Sequence, residues 1–98
     1  MIYCFDLDGT LCTNTNGNYG SAQPFKDRID KVNQLYKEGH TILIDTARGF
    51  TTKIDWYSVT ENQLKEWGVL YHTLRVGEKL YADIFIDDKG TNDMIFFN

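Results

Sequence analysis

The sequence of 98 residues has two cysteines, one proline and no apolar stretch long enough to cross a bilayer. Two cysteines make no disulfide framework. Cys4 lies within an apolar run, where it reads as a small core residue, and both thiols are expected to be reduced. Neither Cys4 nor Cys12 falls with His40 or His72 at the spacing of a zinc site. Positive charge is also short, with ten Lys and Arg against fourteen Asp and Glu, for a net charge of −4. That balance disfavours non-specific binding to nucleic acid or to anionic membranes. Repeats, linkers and low-complexity tracts are missing too. The first apolar run begins at residue 2, which leaves no room for a signal peptide, so a cytoplasmic protein is expected.

The material that is present suffices for one modest core. Apolar residues make up 42% and aromatics 14%, which argues against disorder and for a single domain spanning 1–98. The run Ile2-Tyr3-Cys4-Phe5 leads directly into Asp6-Leu7-Asp8-Gly9-Thr10. An apolar run of this kind predicts a buried strand, and Gly9 lets the backbone turn away at its end. Alternation along a strand places Asp6 and Asp8 on one side. Two carboxylates leaving a hydrophobic strand together are costly unless a cation or a proton compensates them.

Residues 11–23 are polar and rich in turn formers, and Asn16-Gly17 suits a tight hairpin turn. A short flap beside the first strand end is the expectation. Pro24 begins a helical pattern over residues 24–38, with Phe25, Ile29, Val32, Leu35 and Tyr36 as its apolar stripe and Gly39 as its stop. A second buried strand, Ile42-Leu43-Ile44, ends in Asp45-Thr46-Ala47-Arg48-Gly49. Ser58-Val59-Thr60-Glu61 has the form of a capping box, and a short helix then runs to Gly68. Trp56-Tyr57 is expected to pack beneath that helix. A third strand is expected at 71–76 and a fourth at 82–86, the latter delivering Asp87-Asp88; residues 94–97 add a last strand or short helix. This order implies a small parallel sheet covered on both faces, a three-layer α/β fold whose ligands sit beyond the carboxyl ends of the strands.

Taken together, these stretches resemble the haloacid dehalogenase-like (HAD) superfamily of phosphotransferases. Asp6-Leu7-Asp8-Gly9-Thr10 matches its first motif, Asp-x-Asp-x-Thr, and Thr46 at a strand end matches the second. Lys79 fits the third, with Lys89 as an alternative, and Asp87-Asp88 fits the fourth. The resemblance implies a Rossmann-like sheet in its minimal form. The insertions after the first and second motifs are too short for a cap domain, as in the very small phosphatases of sugar and capsule biosynthesis.

It also implies a chemistry. Asp6 is expected as the nucleophile that forms an aspartyl-phosphate, and Asp8 as the acid and base that protonates the leaving oxygen and then activates water. A carboxylate about 4 Å from a phosphate charge costs roughly 4 kcal/mol at an effective dielectric near 20, so a hard cation is needed. Mg²⁺ is expected, held by Asp6, the backbone carbonyl of Asp8, Asp87 and Asp88, with Lys79 neutralising further. The Thr46 hydroxyl and backbone N–H groups around Leu7, Asp8 and Ala47 would hold the phosphoryl group. Thr10, Ala47 and Arg48 are the expected substrate contacts; for Arg48 a surface salt bridge is equally open. The implied function is hydrolysis of a small phosphomonoester, such as a sugar phosphate. A nucleotide or polynucleotide-end phosphatase, or a non-enzymatic phospho-acceptor or binding module, stays open as an alternative. The short C-terminus raises the expectation of a homo-oligomer.

Overall fold

The backbone leaves the end of its first strand through Gly9, whose φ of +83° only glycine adopts without cost, and everything else is arranged around that exit. The computed structural model describes residues 1–49, 54–77, 84–87, 91–92 and 96–97. Five strands lie among them: β1 (Ile2–Asp6), β2 (Thr41–Thr46), β3 (Thr73–Val76), β4 (Ile84–Asp87) and β5 (Thr91–Asn92). They form one sheet in the order β3-β2-β1-β4-β5, and every pairing is parallel. The fold is a Rossmann-like parallel α/β fold.

Two helices join the first half of the sheet, α1 (Lys26–Lys37) between β1 and β2, and α2 (Tyr57–Glu66) between β2 and β3. Both crossovers step the same way across the sheet, so right-handed connections put both helices on one face. Asn33 of α1 ties them together by donating to the Gly68 carbonyl and accepting from the Leu70 N–H, each at 2.8 Å. Ile29 and Val32 of α1 and Leu64 of α2 are buried with Phe5, Ile42, Ile44, Leu74 and Ile86 of the strands. The connection that would cover the other face runs through residues 78–83, which lie outside the described residues. The third layer is therefore an expectation on which the described residues do not bear.

Several boundaries differ from the sequence reading. Pro24 does not start α1; it bridges back to Cys12, and Phe25 caps the helix with its carbonyl accepting from Arg28 and Ile29. The Ser58–Glu61 pattern is not the start of α2. The helix begins at Tyr57, whose N–H donates to the Asp55 carboxylate at 2.9 Å, a local turn that outcompetes the capping box. β3 begins at Thr73 rather than at 71, because His72 already donates its N–H to the Ile42 carbonyl and accepts the Ile42 N–H on its Nδ1. β4 spans Ile84–Asp87 and so includes Asp87; residues 82 and 83 of the expected strand lie outside the described residues. A further described strand, Thr91–Asn92, precedes the expected 94–97 segment, of which residues 94 and 95 lie outside the described residues. Of that segment, Phe96 and Phe97 pack their rings on Phe5, 5.7 and 6.1 Å between centroids.

Candidate active site

The strand ends meet at one level. Phe5 of β1 pairs with Ile44 of β2 and with Ile86 of β4, so the next residues, Asp6, Asp45 and Asp87, lie side by side, the last of β1 and β4 and the last but one of β2. Neighbouring strands run about 4.8 Å apart, which makes the backbones at Asp6 and Asp87 adjacent. The chain steps from β1 to β2 and β3 on one side and reaches β4 on the other. Asp6 and Asp87 therefore flank the place where strand order reverses, the crevice that open α/β sheets use for ligands.

Beyond Asp6 the backbone makes one tight turn, with the Leu7 carbonyl accepting from Thr10, Leu11 and Cys12. Leu7, Thr10, Leu11 and Cys12 are turned inward and fully buried, while Asp8 stays at the rim. Its carboxylate is gripped by Arg48 through two bonds, Nε to Oδ2 at 2.9 Å and Nη2 to Oδ1 at 2.7 Å. The Arg48 side chain is 0% exposed and that of Asp8 16%. Arginine holds its charge at any working pH and its planar fork matches a carboxylate, which is why this residue type can sit here. The other edge of the guanidinium faces α2, where Nη1 donates to Gln63 Oε1 at 2.6 Å and to Thr60 Oγ1 at 3.1 Å. A long contact from Nη2 to Cys12 Sγ, 3.9 Å, takes the remaining donor. Burial first, and the Asp8 charge second, push the Cys12 thiol up to about 12 from 9.0. Cys4 and Cys12 are both buried and are not joined in a disulfide.

The flap is closed at its base, where Thr13 N–H donates to the Gln23 carbonyl and Phe25 N–H to the Leu11 carbonyl. At its tip Asn18 N–H returns to the Thr15 carbonyl, with Asn16 at φ 53° and Gly17 at φ 98°, the left-handed pair that the Asn-Gly turn needs. No paired strands follow that turn among the described residues; a single 3-10 turn at Tyr19–Ser21 takes the return leg instead. The Tyr19 ring lies 4.6 Å from the Arg48 guanidinium carbon and edge-on to Trp56 at 4.9 Å, and its carbonyl accepts from Gln63 Nε2 at 2.6 Å. Flap and strand ends together border an open pocket of about 420 Å³ lined by Asp6, Asp8, Asn14, Asn16, Gly17, Tyr19, Thr46, Ala47 and Arg48.

No family model and no curated protein matches the chain. Among solved structures it is similar to a structural-genomics target from Vibrio cholerae, at 26% identity and a TM-score of 0.78. The match covers 99% of this chain and 88% of that one, so the likeness holds over the sheet and the flap alike.

Asp6, Asp8, Thr46 and Ala47 are brought together in the pocket, as the motif spacing implied. Thr46 is nearly buried and its hydroxyl accepts the Arg48 N–H at 3.3 Å; Ala47 is exposed. Two expectations need correction. Thr10 is not a substrate contact: the turn after Gly9 points it into the core, 0% exposed and absent from the pocket lining. Arg48 borders the pocket, but Asp8, Thr60, Gln63 and Cys12 engage its donors, so it acts on Asp8 rather than reaching outward. It is no surface salt bridge either.

Trp56 packs edge-on against Tyr19 of the flap, and Tyr57 is exposed. Lys79, Asp88 and Lys89 lie outside the described residues, as does the Asp87 side chain. The described residues contain no group of three or more His, Cys, Asp or Glu that could hold a metal by themselves. No described helix is long and apolar enough to cross a membrane. Sequence reasoning missed Cys12, Tyr19, Thr60 and Gln63. A signal existed for two of these: Thr60 and Gln63 share a face of α2 with Leu64, polar residues in the stripe that should be apolar.

Proposed function

We propose that the chain is a Mg²⁺-dependent phosphomonoesterase of the HAD type, without a cap domain, acting on a sugar phosphate or a related small metabolite. The observation that carries this reading is the meeting of Asp6, Asp8, Thr46 and Ala47 in one pocket at level strand ends, with the end of β4 beside them. The Asp6 carboxylate attacks phosphorus, and the bond from phosphorus to the substrate oxygen breaks. Asp8 gives that oxygen a proton. The Asp8 carboxylate then takes a proton from a water that attacks the aspartyl-phosphate, releasing phosphate and restoring Asp6. The Thr46 hydroxyl and the N–H groups that follow β1 and β2 hold the phosphoryl oxygens.

An all-oxygen donor set fits a hard divalent cation. Following the family resemblance, Asp6 and the Asp8 carbonyl would hold Mg²⁺ with Asp87 and Asp88, while the Asp8 carboxylate pairs with Arg48. The ion would neutralise phosphate charge as the nucleophile approaches. Among the described residues of the lining, Asn14, Asn16 and Tyr19 offer amides and a ring, and Arg48 is the cation. Such a wall suits a leaving group rich in hydroxyls more than one that carries a second phosphate.

A panel of sugar phosphates and nucleotides with Mg²⁺, beside p-nitrophenyl phosphate, tests the reading. Wild-type protein should turn over at least one sugar phosphate and form a phosphoryl adduct on Asp6 that mass spectrometry detects. Asp6→Asn should abolish both. Turnover that persists unchanged in Asp6→Asn would remove Asp6 as the nucleophile and the reading with it.

A further inference from the structure

A carboxylate that must give a proton to one oxygen and take one from another has to be held at a fixed angle. Its grip here comes from outside the motif. The Arg48 fork meets Asp8 on its Nε–Nη2 edge, and that edge can point only one way once Nη1 is pinned by Gln63 at 2.6 Å and Thr60 at 3.1 Å. Both of these residues are on α2, fully or almost fully buried, and neither lines the pocket. A buried arginine needs every donor engaged, so an aliphatic pair at these positions would leave Nη1 unsatisfied and free the fork to rotate. Gln63 also donates to the Tyr19 carbonyl, and Tyr19 lies against the guanidinium.

We infer that Gln63 and Thr60 are positioning residues for the reaction: acting through Arg48, they aim the Asp8 carboxylate at the oxygen that leaves. This rests on the phosphatase reading. It specifies which step fails when the network is cut. Asp8 as acid matters in proportion to the basicity of the leaving oxygen. An alkoxide departing from a sugar phosphate needs the proton as the bond to phosphorus breaks, whereas p-nitrophenolate leaves as a stable anion. Asp8 as base matters equally for every substrate, because the aspartyl-phosphate is the same whichever ester formed it. The kcat/KM reports events up to departure of the leaving group, and kcat includes the hydrolysis that follows.

The experiment compares wild type, Gln63→Met and Thr60→Val on p-nitrophenyl phosphate and on the best sugar phosphate of the panel, with Mg²⁺ present. Neither replaced side chain touches Asp8 or the pocket. The kcat/KM for the sugar phosphate should fall about 10- to 100-fold, a part of what a positioned acid supplies, and that for the aryl ester less than about threefold. The kcat for the aryl ester should fall as well, and mixing should release a burst of p-nitrophenolate close to the enzyme concentration as the phosphorylated form accumulates. Thermal melts check that each variant is folded; Thr60→Val keeps the side-chain shape should Gln63→Met fold poorly. Equal losses of kcat/KM on the two esters in folded variants, or no loss on either, overturn the inference and leave the phosphatase reading standing. Wild-type protein inactive on both esters overturns the phosphatase reading, and the inference falls with it.

Discussion

Arg48 is the residue on which the candidate site turns. A fully buried guanidinium paired with one carboxylate is stable only as a complete set, because either partner left alone keeps its desolvation cost and loses its attraction. Arg48→Met should therefore destabilise the protein by about 3–5 kcal/mol, measured as a shift in urea unfolding. Pairing it with Asp8→Asn should recover part of the loss, since the orphaned charge is gone; an additive double variant would mean the two groups do not interact. Thr10 makes the opposite case. Its buried hydroxyl has no hydrogen-bond partner among the described residues, so Thr10→Val should leave unfolding stability unchanged or raise it. The sequence displayed Asp8 and Arg48 but not their pairing, because 40 residues separate them and only the β1–β2 register brings them together. Asp6 and Thr46 reach the pocket for a simpler reason: each ends a strand whose apolar run is legible in the sequence. Thr10 lay inside the same motif, yet its direction depends on the Gly9 turn, which alternation along a strand does not describe.

At the scale of elements, the parts governed by local chemistry were legible and the parts governed by contacts were not. The Asn16-Gly17 turn formed where its two positive φ angles are cheapest, and α1 follows its apolar stripe. The start of α2 was misplaced because Asp55 bonds Tyr57 before Ser58 can cap, and the sequence held both options. The loop after β2 provides a sharper test. Gly17 and Gly49 both have positive φ, but a Cβ at Gly17 meets nothing within 4 Å, whereas at Gly49 it collides with the Ile54 carbonyl and comes within 3.0 Å of Trp56 Cδ1. Gly17→Ala should cost about 1 kcal/mol, the strain of the dihedral alone. Gly49→Ala should cost clearly more, as backbone must move, and should loosen Trp56 from Tyr19. Chemical denaturation followed by tryptophan fluorescence reads both effects, and equal costs at the two glycines would refute the close approach.

The described residues form a parallel sheet with the candidate site at one end and the aromatic pair Phe96 and Phe97 on the core. Lys31 of α1 donates to the Phe96 carbonyl at 2.6 Å and lies over its ring, and Arg28 lies over Phe97 while donating to the Thr10 carbonyl. These contacts tie the chain's end to the helix that supports the motif turn, so global stability and site integrity should be lost together. Alkaline pH tests that link. The folded Cys12 thiol keeps its proton to about pH 12, and the unfolded thiol releases it near 9.0. Between those values the folded chain binds more protons than the unfolded one, so rising pH favours unfolding. The contribution is whole below pH 9.0 and lost by about 12. Tyr71, raised above 10.0 by burial and by the neighbouring Glu61, adds to it with the same sign. The urea midpoint, followed in reductant and chelator, should therefore fall as pH rises through this window, and Cys12→Ala should flatten the fall. A midpoint that holds steady there in the wild type, or a Cys12→Ala variant that falls just as steeply, would mean that water reaches the thiol behind Asp8 and that the Arg48 network does not seal the floor of the site.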